Sequence, residues 1–208
     1  MNKMIDRRAL LKAGGALIVT FSLPLDHIAA KIDAGAKTVS ADRVDGFLAI
    51  APDGQVTAYS GKVDLGTGVR TALTQIVAEE LDVPINRVTI IEGDTALTPD
   101  QGTTSGSFSI QNGGTQLRRA VATARQVLLR RAAARLERDI STLSIRDGVV
   151  TAASGSHLPI GDLADGSTLA LEIEKTAPEK APAEYTIVGK PVRRLDIPDK
   201  VNARFTFM

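Results

Sequence analysis

One stretch constrains the rest of this chain more than any other. From Asn112 to about Arg138 helical spacing runs without a break, and Leu117, Val121, Ala124, Leu128 and Ala132 fall on one stripe. A helix of that length cannot leave the stripe in water, where each Å² of apolar surface would forfeit about 25 cal/mol. A second layer must cover it. The other side carries Arg118, Arg119, Arg125, Arg130, Arg131, Arg135 and Arg138. It reads as a solvated face, with an anion-binding surface as the alternative.

The preceding residues supply that layer. The apolar run 47–50 and the alternating run 56–60 flank Pro52-Asp53-Gly54, a hairpin signal. Val69 to Leu81 has Ala72, Leu73, Ile76, Val77, Glu80 and Leu81 at helical spacing and ends before Val83-Pro84. Residues 87–92 alternate as a strand. Beyond the long helix, residues 143–145 and 149–150 flank Asp147-Gly148, a second hairpin. The stretch 176–184 is rich in Pro and Ala and reads as extended, and Tyr185 to Met208 begins a new unit of strand-like character. No internal repeat is present. The order ββαβ, loop, long helix, ββ predicts an α+β fold, a sheet with helices packed in layers.

Composition then removes whole classes of function. Hydrophobic residues make up 43% of the 208, enough for a core. Aromatics are 3% with no Trp, and net charge is +1, which argues against a stacking platform and a nucleic-acid partner. With no Cys, disulfides, thiolate metal sites, Cys-bound iron–sulfur clusters and a Cys nucleophile are excluded. His27 and His157 alone do not make a zinc site.

The first segment reads as an address. Arg7-Arg8, then Ala9-Leu10-Leu11-Lys12, a short apolar run from Ala13 to Leu25 and the small residues Ala34-Gly35-Ala36 follow the order of a twin-arginine signal peptide. The alternative is an amphipathic helix with a basic start. The signal reading implies a periplasmic protein exported in folded form, with any cofactor loaded beforehand.

Two glycine-bearing loops carry the chemistry. Gly61-Lys62-Val63-Asp64-Leu65-Gly66-Thr67-Gly68 joins a strand to a helix. Residues without Cβ let backbone approach a ligand, and unpaired amides at a helix start favour anions. The spacing is neither a phosphate loop nor a dinucleotide fingerprint, since no βαβ unit with an acidic strand end is legible. A tight turn and a cofactor cradle both remain open. The second loop runs from Gly93-Asp94-Thr95 through Gly102, Thr103, Thr104, Ser105, Gly106 and Ser107 to Gly113-Gly114. It is long for a connector and offers hydroxyls and amides but no strong acid or base, which suits a polar, phosphate-bearing cofactor; a surface loop is the alternative.

Taken in order, Gly61 to Gly68, Ala78-Glu79-Glu80-Leu81, Gly93-Asp94-Thr95, Thr104 to Ser107 and the helix at Gly114 resemble the molybdopterin-binding large subunits of the xanthine dehydrogenase and aldehyde oxidase family. The likeness is greatest to its exported, cytochrome-linked branch of nicotinate dehydrogenase and isoquinoline oxidoreductase type. Val188-Gly189-Lys190-Pro191, Arg194-Leu195-Asp196 and Pro198-Asp199-Lys200-Val201 resemble the opening of that family's hammerhead domain. The resemblance implies a signal peptide at 1–36, a linker at 37–45, a portion of the molybdopterin-binding domain at 46–155, a linker at 156–184 and a truncated hammerhead start at 185–208.

It also implies a molybdenum hydroxylase acting on an aldehyde or N-heterocycle. Iron–sulfur clusters would sit on a partner small subunit, with a cytochrome as possible acceptor and the remainder of the large subunit completing the enzyme. Gly66, Thr67, Gly68, Thr104, Ser105, Gly106 and Ser107 would hydrogen-bond the molybdopterin; no residue here would ligate the metal or act as catalytic base. Thr67 stands where the family usually has Gln. The family's catalytic glutamate lies near a C-terminus with no counterpart here, so the chain alone is expected to be inactive. Glu79 and Glu80 are read as helix residues facing partner charges. The competing expectations are a non-catalytic exported binding module and one half of a split large subunit.

Overall fold

A computed structural model describes residues 39–164 and 169–205. The signal read at 1–36 and the last three residues lie outside the described residues.

The first sheet forms as the patterning predicts. Strands β1 (Leu48–Ile50) and β2 (Val56–Ser60) are antiparallel, Ile50 facing Val56 and Leu48 facing Ala58. Gly54 takes φ +81° in the turn, and the Asp53 carboxylate accepts the Gln55 amide at 2.9 Å. Along β2, Val56, Ala58 and Ser60 point inward. Helix α2 (Val69–Leu81) follows the first glycine loop and ends on Asp82 in the left-handed conformation. Strand β3 (Val88–Glu92) then pairs with β2 in parallel, Val56 opposite Val88 and Ser60 opposite Glu92. The sheet is therefore mixed, and β2–α2–β3 is a parallel crossover unit ending in an acidic residue. The sequence reading found no such unit, because alternation reports which face of a strand is buried and not which way it runs.

The long helix is α3 (Thr115–Leu136), entered through a π-helical turn over Ser109–Gly114. All five stripe residues are buried. Helix α2 packs against α3 and β3, and α3 also contacts β4 and the short helix α1 (Val44–Phe47). The close approach of α2 and α3 depends on Gly114, where a Cβ would sit 3.1 Å from Ile76 Cδ1. The second hairpin pairs β4 (Leu143–Arg146) with β5 (Val149–Ala152) across Asp147 (φ +52°) and Gly148 (φ +77°). The Gly148 amide donates to the Asp82 carbonyl at 2.7 Å, tying this sheet to the end of α2.

The structure adds detail where the sequence reading saw only connection or solvent. Residues 156–184, read as a linker, hold strand β6 (His157–Pro159), paired with β5, and helix α4 (Ile160–Leu163), whose Ile160 and Leu163 are buried. The 37–45 stretch, also read as a linker, is paired through Arg43 to Glu172, and the Val44 and Asp45 amides donate to the Leu171 and Leu169 carbonyls. The arginine face of α3 is not simply solvated. Arg118 and Arg125 pair with Glu80, Arg130 with Glu174, and Arg131 and Arg135 donate to the carbonyls of Leu163 and Asp162. Guanidinium groups donate to chain carbonyls as well as to carboxylates, so a charged helix face can receive an irregular segment.

The strand-like character read from Tyr185 is also absent among the described residues, which there form an irregular strap and helix α5 (Ile197–Val201). The strap's amides find their acceptor on α2 instead of on a neighbouring strand.

Candidate functional site

The two glycine loops meet. The Val63 amide donates to Thr104 Oγ1 at 3.1 Å, across 41 positions of sequence. Lys62 is buried, and its ammonium donates to the carbonyls of Gly102 (3.2 Å) and Thr103 (2.7 Å). Gln101 ties both loops to the helix: its carbonyl accepts Ser60 Oγ and the Gly61 amide, and its amide group donates to Gly113 O and Gln116. This contact needs a residue without Cβ at position 61, where a Cβ would lie 2.2 Å from the Pro99 carbonyl.

Between the loops lies a groove of about 300 Å³. The hydroxyl residues Thr67, Thr104, Ser105, Ser107 and Ser109 line it together with Gly106, facing apolar groups that include Val63, Leu65, Val69 and Ile110. Five of the seven residues expected at the site therefore line one cavity: Thr67 from the first loop, and Thr104, Ser105, Gly106 and Ser107 from the second. Gly66 and Gly68 do not line it. Each serves the backbone path, with φ of +96° and +83°, and a Cβ on Gly68 would face the Arg194 side chain at 3.4 Å.

Three amides around the start of α2 already have an acceptor within the chain. Asp64 Oδ1 accepts the amides of Gly66 (2.9 Å) and Gly68 (3.1 Å), and Oδ2 accepts that of Arg70 (3.1 Å). Burial alone would raise the Asp64 carboxyl, but these three amides and the Arg194 charge outweigh it and hold its pKa below the usual aspartate value. An internal carboxylate thus caps the α2 start through these three amides. Behind it, Glu92 is buried and pairs with Arg70 at 2.9 Å. Here burial dominates the Arg70 partner, and the nearby Asp64 charge adds to it, so the Glu92 pKa is raised.

The second loop keeps its donors. Gly106 (φ +58°) and Ser107 (φ +60°) are consecutive left-handed residues before the π-helical turn, a concave backbone of the kind that binds anions or polar edges. Among the described residues neither of their amides meets an acceptor. Thr104 Oγ1 already accepts from Val63, so its own proton is directed elsewhere. This donor set fits a polar heterocycle with an anionic group, held by amides and hydroxyls that lie mostly on the second loop and by apolar contact mostly from the first. Among the described residues no cluster of three or more His, Asp or Glu side chains could hold a metal ion directly.

Sequence reasoning missed Lys62, Asp64, Gln101 and Arg194. Asp64, two residues before Gly66 and four before Gly68, carries a local signal, since an Asp in that position caps a turn and a helix start. Lys62, Gln101 and Arg194 act through partners distant in sequence and leave no such signal.

The molybdopterin cofactor-binding domain family matches residues 28–204. A nicotinate dehydrogenase subunit of Pseudomonas putida is 42% identical over 96% of this chain, which spans 17% of that protein's length. The membrane-bound aldehyde dehydrogenase (pyrroloquinoline-quinone) of Gluconacetobacter polyoxogenes is 30% identical over 75% of this chain and 21% of that protein. Among solved structures, reconstituted CO dehydrogenase from Oligotropha carboxidovorans matches 56% of this chain and 15% of its own, with a TM-score of 0.51 and 28% identity. On the family match, the extent of these likenesses and the paired glycine loops, the chain belongs to the molybdopterin cofactor-binding domain family, in the xanthine dehydrogenase and aldehyde oxidase group.

Proposed function

We propose that this chain supplies the groove between residues 61–69 and 102–110 to the molybdopterin of a hydroxylase acting on an aldehyde or an N-heterocycle. The observation that carries the proposal is the convergence of two loops, 41 positions apart, on one cavity lined by hydroxyls and by amides without a protein acceptor. When bound, the group supplies the two-electron oxidation. The chain's residues bind and orient it: Thr67 and Thr104 to Ser107 through hydroxyls and amides, Val63, Leu65 and Ile110 through apolar contact.

With no Cys in these 208 residues, iron–sulfur clusters would reside elsewhere in the assembly, on a partner small subunit as the family resemblance implies, and pass electrons to a cytochrome or similar acceptor. The proposal includes export to the periplasm, supported by Arg7-Arg8 and the apolar run behind them. It also takes 185–208 to lead into a hammerhead domain, supported by the Arg194-Leu195-Asp196 and Pro198-Asp199-Lys200-Val201 motifs.

The test uses the complete polypeptide carrying this chain, assembled with its partners. Thr104→Val keeps the side-chain volume and removes the hydroxyl; Thr67→Val does the same on the facing loop. Molybdenum by elemental analysis and pterin by fluorescence should both fall in the double variant. Full loading of that variant, or a wild-type protein that holds pyrroloquinoline quinone and no molybdenum, would overturn the proposal.

A further inference from the structure

Helix α2 carries Thr71, Gln75 and Glu79 four positions apart, on one face. Each holds the strap that follows Lys180. Glu79 Oε2 accepts the amides of Thr186 (2.9 Å), Ile187 (2.6 Å) and Val188 (2.9 Å). Gln75 donates to the carbonyls of Ile187 (2.9 Å) and Lys190 (3.2 Å). Thr71 Oγ1 accepts the Leu195 amide at 3.0 Å. The strap thus runs back along α2, from its C-terminal end toward the glycine loop at its start.

At that loop Arg194 makes a contact that no backbone requirement explains. Its Nη1 donates to the Gly66 carbonyl at 2.8 Å. Its Nε and Nη2 are locked by Asp196 Oδ1 (3.0 Å) and Oδ2 (2.6 Å), and Lys200 also reaches Oδ2 at 2.6 Å. Asp196 is buried, so the fork has little freedom to turn. The Gly66 residue is consequently held on both sides, its amide by Asp64 and its carbonyl by Arg194. In a trans peptide the N–H points opposite to the preceding C=O. Fixing the Gly66 carbonyl toward Arg194 therefore directs the Thr67 amide away from Arg194, and Thr67 lines the groove.

We infer that Arg194 is a positioning residue for the cofactor groove: through Gly66 it sets the direction of the Thr67 amide toward the bound ligand. This rests on the proposed molybdopterin groove. Lysine cannot take the role, because one ammonium does not span Asp196 and the Gly66 carbonyl as a planar fork does.

The experiment compares Arg194→Gln, Arg194→Lys and the neighbouring control Arg193→Gln in the complete assembled protein. Molybdopterin loss is followed during dialysis, with the Mo(V) EPR spectrum of the loaded fraction and hydrogen exchange over residues 64–69 and 115–136. Both Arg194 variants should lose the cofactor at least tenfold faster, shift the EPR signal and exchange faster at 64–69, with 115–136 unchanged; the control should match wild type. Wild-type retention, spectrum and exchange in Arg194→Gln would overturn the role of Arg194 and leave the groove standing. A wild-type protein without molybdopterin would overturn both. If Arg194→Gln does not accumulate, Arg194→Lys decides: retention and spectrum equal to wild type would refute the fork.

Discussion

Glu79→Ala measures what the strap contributes. The Glu79 side chain is 2% exposed, and its carboxylate is the acceptor for three consecutive amides and, at 3.3 Å, for the Lys180 ammonium. Truncation leaves those amides under the strap without an acceptor. A buried donor left unsatisfied costs about 1–3 kcal/mol. Part of the strap is wet, so the lower half of that range, about 1–2 kcal/mol, applies to each of the three, about 3–6 kcal/mol together. For a unit of this size each kcal/mol moves the midpoint by roughly 2–4 °C, giving a fall of roughly 6–24 °C. Glu79→Gln retains one oxygen that can accept the amides. It loses the ion pair, the long Thr186 hydroxyl contact on the other oxygen and the charge assistance of the amide bonds, while Lys180 keeps Asp82 at 2.6 Å, so the expected loss is about 1–2 kcal/mol. Urea unfolding followed by circular dichroism gives the free energies, and hydrogen exchange at 186–188 reports the strap itself. A loss below about 1 kcal/mol for Glu79→Ala, or equal losses for Ala and Gln, would refute the claim that the carboxylate holds the strap through its amides.

Acid should loosen the strap before the helices. Burial opposes ionisation of Glu79, but the amides of Ile187 and Val188, the Lys180 charge and the Thr186 amide hold its pKa below normal; Arg194 and then Lys200 do the same more strongly for Asp196. A depressed folded pKa gives stability that is present above the unfolded value and lost as pH falls, so both contributions decline below about pH 4. Glu92, with a raised pKa, works in the opposite sense: its contribution is present at low pH and is lost as pH rises. Hydrogen exchange should therefore rise at 186–196 between pH 4 and pH 3 while 115–136 stays protected, and simultaneous loss of both would contradict this ordering. For export, replacing Arg7 and Arg8 by Lys in the complete protein should leave it in the cytoplasmic fraction; unchanged periplasmic delivery would remove the twin-arginine assignment.

Periodicity alone determined the elements whose burial repeats along the chain. The stripe of Leu117 to Ala132, the helix 69–81 and both hairpins are readable because each turn of helix or pair of strand residues repeats one physical choice, apolar inward or polar outward. Glycine at 54 and 148 was legible for a similar local reason, since those turns need positive φ. The two site loops were readable as backbone that can approach a ligand, and the family resemblance ordered them. Tertiary structure decided everything that depends on a distant partner. The parallel run of β3 beside β2 and the burial of Lys62 against the Gly102 and Thr103 carbonyls belong to this class. So do the strap on Thr71, Gln75 and Glu79 and the grip of Arg194 on Gly66. An irregular segment has no repeating pattern, because its hydrogen bonds are satisfied one at a time by side chains that only the folded chain brings within reach.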